Sequence, residues 1–270
     1  MKTGEIIDYL DRQFKPEYQE DYDNAGFLIG DAESNYTGAL ITLDVTPDTI
    51  DEAIDKGLSL IVSHHPLIFK GLKRITNNDA TSRMVSKLIK NNISVYAAHT
   101  NLDNLDWGVN GILANKIGLT DCHILRPSQA SIPDIGAGMV GFLPQPMPIY
   151  DFLSLVKARL GIPILRTSHS HIQTFTHSHI QPSVLTVAIC GGAGSFLIGD
   201  AKRAGADIFL TGDLKYHDFQ QADDEMIIAD IGHYESEQFS KEIFYSVISE
   251  KFSNFACQIS EKSGSYINYI

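Results

Sequence analysis

Apolar positions along this chain follow two rhythms. Short β-favouring runs at residues 39–45, 60–63, 94–98, 185–190, 208–211 and 226–230 read as buried strands. Between them lie segments whose apolar residues recur every three or four positions. The opening MKTGEIIDYLDRQF is one, an amphipathic helix without the continuous apolar stretch of a signal peptide. A second spans 48–56, where Ile50, Ala53 and Ile54 share a face, with Thr49 or Asp48 as N-cap and Gly57 as stop. A third covers 151–160. Strands alternating with helices predict an α/β fold with mostly parallel sheets.

Two parts of the chain share one layout. LITLDV leads through a helix to AIDKGLSLIVSHH and on to VYAAHTNLD; LTVAIC leads through a helix to AKRAGADIFLTGD and on to IADIGHYESE. Ala53 and Gly57 match Ala201 and Gly205 at one offset, Ser63 matches Thr211, and His99 with Asp103 matches His233 with Glu237. The shared layout is either an internal duplication or the likeness that any two βαβ units have, and the repeated His-x-x-x-acid favours duplication. The Pro-rich stretch FLPQPMP at 142–148 marks a change of element, and a boundary is expected near 125–135. This gives a first domain at 1–130, a second at 131–237, and a C-terminal stretch, 238–270, that packs back onto the first.

Composition narrows the function classes. Of the 270 residues 43% are hydrophobic, and 21 Lys+Arg stand against 33 Asp+Glu, a formal charge of -12. That surplus opposes nucleic-acid binding, which rests on neutralising phosphates with Lys and Arg. No run approaches the ~20 apolar residues of a membrane span. Three cysteines with no CxxC pair supply neither a disulfide framework nor a thiolate zinc site, so a cytoplasmic location is expected.

The candidate chemistry gathers where strands end. His64 and His65 follow the run 60–63 and precede Pro66; His99 opens HTNLD after 94–98; His233 opens HYESE after 226–230. In open α/β sheets ligands collect at the carboxyl ends of strands. If 233–237 is helical, His233 and Glu237 share a face at i and i+4. Imidazole and carboxylate donors without thiolate suit zinc, iron, manganese or cobalt. With Asp103 they make six candidate ligands, enough for two divalent ions bridged by a carboxylate.

These residues also carry a resemblance. DYDNAGFLIGD at 21–31, SHHPLIF at 63–69, AAHTNLD at 97–103, CGGAGSF at 190–196, TGDLKYHD at 211–218 and IGHYESE at 231–237 resemble, in order, the signature segments of the Nif-three-like family. Its bacterial members often bear the label GTP cyclohydrolase I type 2 homologue. The resemblance implies a dinuclear metal site on His64, His65, Asp103, His233 and Glu237, with His99 beside it. It also implies two related α/β domains with a metal site between them, and a homohexamer built from dimers. The reaction class this favours is metal-dependent hydrolysis of a nucleotide or related heterocycle; the alternative is a metal-binding or adaptor protein without catalysis.

Four further features bear on function. Gly191, Gly192 and Gly194 form either a phosphate-binding loop or a tight strand-to-helix turn. Asp213, Tyr216 and His217 follow the run 208–211 and are read as groups that orient ligands or, with His99, transfer protons. The His-rich tract 166–182 reads as an exposed hairpin. Trp107 and the aromatic residues of 239–245 read as core or subunit contacts.

Overall fold

A computed structural model describes residues 1–129, 131–168, 183–223 and 225–270. The chain divides into two compact units: Met1–Leu102 with Ser240–Gly264, and Asp103–Phe239 with Ser265–Ile270. The division falls at Leu102, not near 130, because the chain from Asp103 onward feeds the second sheet. The strands are β1 (Gly26–Ile29), β2 (Gly38–Thr42), β3 (Leu60–Ser63), β4 (Ser94–Ala97), β5 (Thr120–Gln129), β6 (Ile132–Pro148), β7 (Arg166–Thr167), β8 (Ser183–Ala193), β9 (Ile208–Gly212), β10 (Ile227–Asp230) and β11 (Ala256–Ile259).

The first unit is a five-stranded sheet in the order β1-β4-β3-β2-β11, parallel from β11 to β4, with β1 antiparallel at the edge. β2, β3 and β4 are buried at every position, as continuous apolar runs require when both faces are covered. On one face Leu40, Ile61 and Val95 pack with Ile50 and Ala53 of helix Pro47–Asp55 and with Val85 and Leu88 of helix Ala80–Lys90. Elsewhere in the unit Phe14 of helix Thr3–Phe14 meets Tyr96 and, edge-on, Phe244 of helix Ser240–Lys251. Tyr245 is exposed. Helix Pro47–Asp55 is capped by Thr46, one residue earlier than Pro47, not by Thr49 or Asp48: Thr49 N–H donates to Thr46 Oγ1 and Thr46 N–H to Thr49 Oγ1. The buried Glu52 side chain accepts from Lys56, from Ser260 Oγ at 2.5 Å and from Glu261 N at 3.1 Å, which ties the segment after β11 to this helix.

The second unit is a six-stranded sheet in the order β5-β6-β8-β9-β10-β7, parallel only across β8-β9-β10. The fold is therefore mixed α/β, less parallel than its sequence suggests, because β5 and β6 form a long antiparallel hairpin. The Pro-rich stretch is the end of β6, and the expected change of element follows it at once, in helix Ile149–Leu160. The pairing of β6 with β8 slips between Phe142 and Met147, where Pro144 and Pro146 have no N–H to donate. One face carries Ala188, Phe209 and Ile228 against Leu197, Ile198 and Ala201. Helices Val109–Ile117 and Ile149–Leu160 pack on each other and on β6 and β8.

The matched positions behave alike in their two units. Leu58 N–H returns to Ala53 O at 2.9 Å beside Gly57 (φ 66°), and Ala206 N–H returns to Ala201 O at 3.1 Å beside Gly205 (φ 69°). Both helices thus stop through a left-handed glycine, a conformation that a Cβ disfavours. Trp107 is exposed rather than in a core. The expected hairpin of 166–182 falls on 169–182, outside the described residues; β7 pairs antiparallel with β10. Among the described residues no helix is long and apolar enough to cross a membrane.

Candidate functional site

In the first unit the imidazoles stand just beyond the ends of β3 and β4. The ladder continues past the strands, with His65 N–H donating to Leu43 O and Ala98 N–H to Ser63 O, so the backbone carrying the rings is fixed. His64 is fully buried. Its Nδ1 lies 2.8 Å from Ala98 O, His65 Nδ1 is 2.8 Å from Asp44 Oδ1, and His99 Nδ1 is 2.8 Å from Asp23 Oδ1. A carbonyl and a carboxylate only accept, so each Nδ1 carries the hydrogen and Nε2 holds the lone pair that can coordinate. One ring nitrogen of each histidine lies within 4.8 Å of the other two, and the ring centroids are 5.1 to 5.6 Å apart.

Asp23 is the most constrained of these anchors. Its side chain is buried, and it accepts from Asn24 N at 2.8 Å, Thr100 N at 3.0 Å and the Thr100 hydroxyl besides His99. Burial opposes ionisation, but the hydrogen bonds from His99, Thr100 and the Asn24 amide hold the carboxyl well below the usual carboxylate range. The sequence showed only a turn at DNAGF and no role for Asp44. Asp44 was findable, because it follows β2 as His64 follows β3.

In the second unit His233 and Glu237 begin and end the five-residue helix His233–Glu237 after β10. His233 Nδ1 lies 2.8 Å from Asp213 Oδ2, and its Nε2 lies 2.9 Å from Glu237 Oε2. With Nδ1 donating to Asp213, two lone-pair atoms face each other at the spacing of neighbouring ligands on one ion, each about 2.0–2.2 Å from it. The donor set fits a divalent cation. Cys190, buried in the same unit, is no competing ligand: burial first, then the Asp103 and Glu237 carboxylates, push its thiol far up, so it stays protonated. A carboxylate oxygen of Asp103 lies within 4.8 Å of one of Glu237. Asp103 O accepts from Asn110 Nδ2 at 3.1 Å.

The glycine loop is not a phosphate cradle. Gly191 N–H donates to Asn110 Oδ1, Gly192 N–H to Ser236 Oγ and Gly194 N–H to Thr211 Oγ1, at 2.8 to 2.9 Å, so all three amides are already engaged. What the loop supplies is room: a Cβ at Gly192 (φ 62°) would stand 2.1 Å from Glu237 Oε1. Tyr216 and His217 open the helix Tyr216–Gln220, exposed and ring to ring at 5.3 Å. His217 lines a cavity of about 430 Å³ with Lys202, Gln220 and Asp223, whose lining includes neither His233 nor Glu237.

The model of the family described as Duf34/NIF3 (NGG1p interacting factor 3) matches residues 1–264. The chain belongs to the Duf34/NIF3 family. A Clostridium perfringens relative called GTP cyclohydrolase 1 type 2 homolog is 35% identical over 240 residues, covering 88% of this chain and 87% of the relative. A Campylobacter jejuni relative of the same description is 31% identical over 263 residues, covering 96% and 95%. The crystal structure of Staphylococcus aureus protein SA1388 matches with a TM-score of 0.88 at 28% identity, covering 100% of this chain and 99% of that one. A Bacillus cereus protein related to NIF3 has the same fold, with a TM-score of 0.88 at 24% identity.

Proposed function

We propose that this Duf34/NIF3 protein binds two divalent transition-metal ions through His64, His65, Asp103, His233 and Glu237 and acts as a hydrolase on a nucleotide or related heterocycle. The observation that supports it most is the common dress of the histidines. Each has Nδ1 tied to a carboxylate or carbonyl, which fixes the tautomer and turns Nε2 outward as a ligand. The names of the relatives supply the substrate class, with ring opening of a purine as the specific case.

What bound ions would supply is Lewis acidity: a water more acidic than bulk, and stabilisation of charge on attacking and leaving oxygens. The chain's own residues do the rest. Asp44 and Asp213 hold His65 and His233 in register. His99, held by Asp23 and not needed to complete the ligand set, is placed to carry a proton. Tyr216 and His217 open to solvent, so His99 rather than either of them takes that role. A homohexamer built from dimers and a cytoplasmic location belong to the same proposal through the family resemblance.

Elemental analysis of protein purified without added metal tests the binding, with Asp103→Ala and Glu237→Ala as controls. Two ions per chain are expected, with loss of at least one in each variant; a content near zero, or unchanged in both variants, overturns it. A panel of nucleotides and related heterocycles on metal-loaded protein tests the chemistry. Turnover that chelator stops and metal restores is expected. A site that exchanges metal readily while no compound reacts marks a metal-binding or adaptor protein instead.

A further inference from the structure

Helix His233–Glu237 is too short to hold itself together, since a lone helical turn costs more in backbone entropy than its few bonds return. Yet it carries two of the five proposed ligands. On its ligand side it is held by Asp213 and by Ser236, whose Oγ accepts from Gly192 N. Glu235 lies about 200° around the helix from His233, on the opposite face. The residue is only 5% exposed. Oε1 accepts from the Tyr269 hydroxyl at 3.2 Å, and among the described residues Oε2 takes no hydrogen bond. A Cβ at Gly232 would stand 2.1 Å from Oε2, so the carboxylate is folded tightly against its own backbone. Tyr269 belongs to Ser265–Ile270, the tail that is part of the second unit although Ser240–Gly264 is part of the first.

We propose that Tyr269 and Glu235 are positioning residues, through which the C-terminal tail straps the far side of the metal-binding helix. The inference rests on the reading of His233 and Glu237 as ligands. A buried carboxylate needs a donor; the tail brings one, and so fixes the rotation of a turn that cannot fix its own. Burial, then the Glu235 and Asp230 carboxylates, raise the Tyr269 hydroxyl above its ordinary value, so it stays a donor at neutral pH.

The test uses Tyr269→Phe in the full chain, with two readouts. The first is hydrogen exchange of residues 232–238 in metal-free protein, with β9 (Ile208–Gly212) as internal control. The second is transfer of Co²⁺ from loaded protein to a chelator, with the cobalt absorption spectrum. Tyr269→Phe is expected to speed exchange at 232–238 and cobalt release about tenfold, and to alter the spectrum, while β9 is unchanged. Glu235→Gln added to Tyr269→Phe should restore neither, because the tail still offers the helix no donor; restoration of both overturns the strap. Unchanged exchange and release, or exchange raised equally in β9, overturns the strap. Wild-type protein that takes up no cobalt, with exchange at 232–238 still responding, overturns the metal reading and leaves the strap standing.

Discussion

In the first unit, β2, β3 and β4 end in Asp44, the His64-His65 pair and His99, which the ladder beyond the strands holds in place, with the Asp23 side chain and His64 fully buried. In the second unit, β9 and β10 end in Asp213 and the His233–Glu237 helix, where Asp213 is half exposed, Asp213 itself has φ 54°, and the helix has five residues. Both units put donors at the same edge of a parallel sheet. Ladder bonds run past the strands in both, with Ile231 N–H donating to Thr211 O in the second; the units differ in the exposure of the carboxylate that anchors a histidine, the Asp23 side chain being fully buried and that of Asp213 half exposed. The anchor of His99 is shielded from solvent, and that of His233 is not. The second should therefore yield to single substitutions that leave its fold intact.

The largest effect expected from that difference is at Gly192. Gly192→Ala places a methyl group 2.1 Å from Glu237 Oε1 at a left-handed backbone position. Strain and collision together should cost about 2–3 kcal/mol and push Glu237 away from His233. Metal content should fall by at least one ion per chain, read by elemental analysis, with the melting temperature lowered by several degrees. Full metal content in Gly192→Ala would mean that the second unit is as rigid as the first.

Legibility in the sequence divides along the same line. β3 stands at the residues where its apolar run lies, and β2, β4, β9 and β10 lie within a few residues of theirs, because fully buried strands leave no polar position to blur the pattern. The β5-β6 hairpin was invisible for the opposite reason: β5 buries only Ile124, and both strands carry prolines that read as turns. The unit boundary at Leu102 falls inside HTNLD, where composition does not change. Strand-end histidines were legible because strand ends are. Their anchors were less so, because pairing Asp23 with His99 brings together residues 76 apart. The glycine loop misled because its composition suits a phosphate site, whereas its amides donate to side chains 17, 44 and 81 residues away.

Anchor removal should separate the units both by metal and by stability. Asp23→Ala and Asp213→Ala each free one histidine Nδ1. Loss of such a partner typically costs 10–100-fold in metal affinity where the histidine is a ligand, so Asp213→Ala should weaken binding by that order. Asp23→Ala, which frees a histidine outside the ligand set, should instead leave the buried Thr100 donors unmet, costing about 2–3 kcal/mol of unfolding free energy, against under ~0.5 kcal/mol for the half-exposed Asp213. Denaturant unfolding of metal-free protein measures both; equal stabilities would remove burial as the distinction.

The smallest effect is a difference in acid sensitivity. In the first unit the Asp23 carboxyl and the Glu52 carboxyl are both held below their ordinary values despite burial, by His99 and Thr100 and by Lys56 and Ser260 respectively. In the second, burial is likewise opposed at Asp200 by Arg126 and Arg203. A carboxyl with a depressed folded value binds its proton more weakly folded than unfolded. Its stabilisation is complete above the unfolded value, near pH 4, and drains as pH falls through the folded one. All three groups thus act in one direction and in one window, below about pH 4.5. They differ in their surroundings: Asp23 and Glu52 are buried and close long-range contacts, while the Arg partners of Asp200 are largely exposed and screened by solvent. Metal-free protein taken from pH 6 to pH 3 should therefore lose protection in β2, β3 and β4 before β8, β9 and β10. Hydrogen exchange resolved by strand and corrected for intrinsic rates reads the order directly. Loss in the second sheet first would show that the more buried carboxylates do not set the first unit's rigidity.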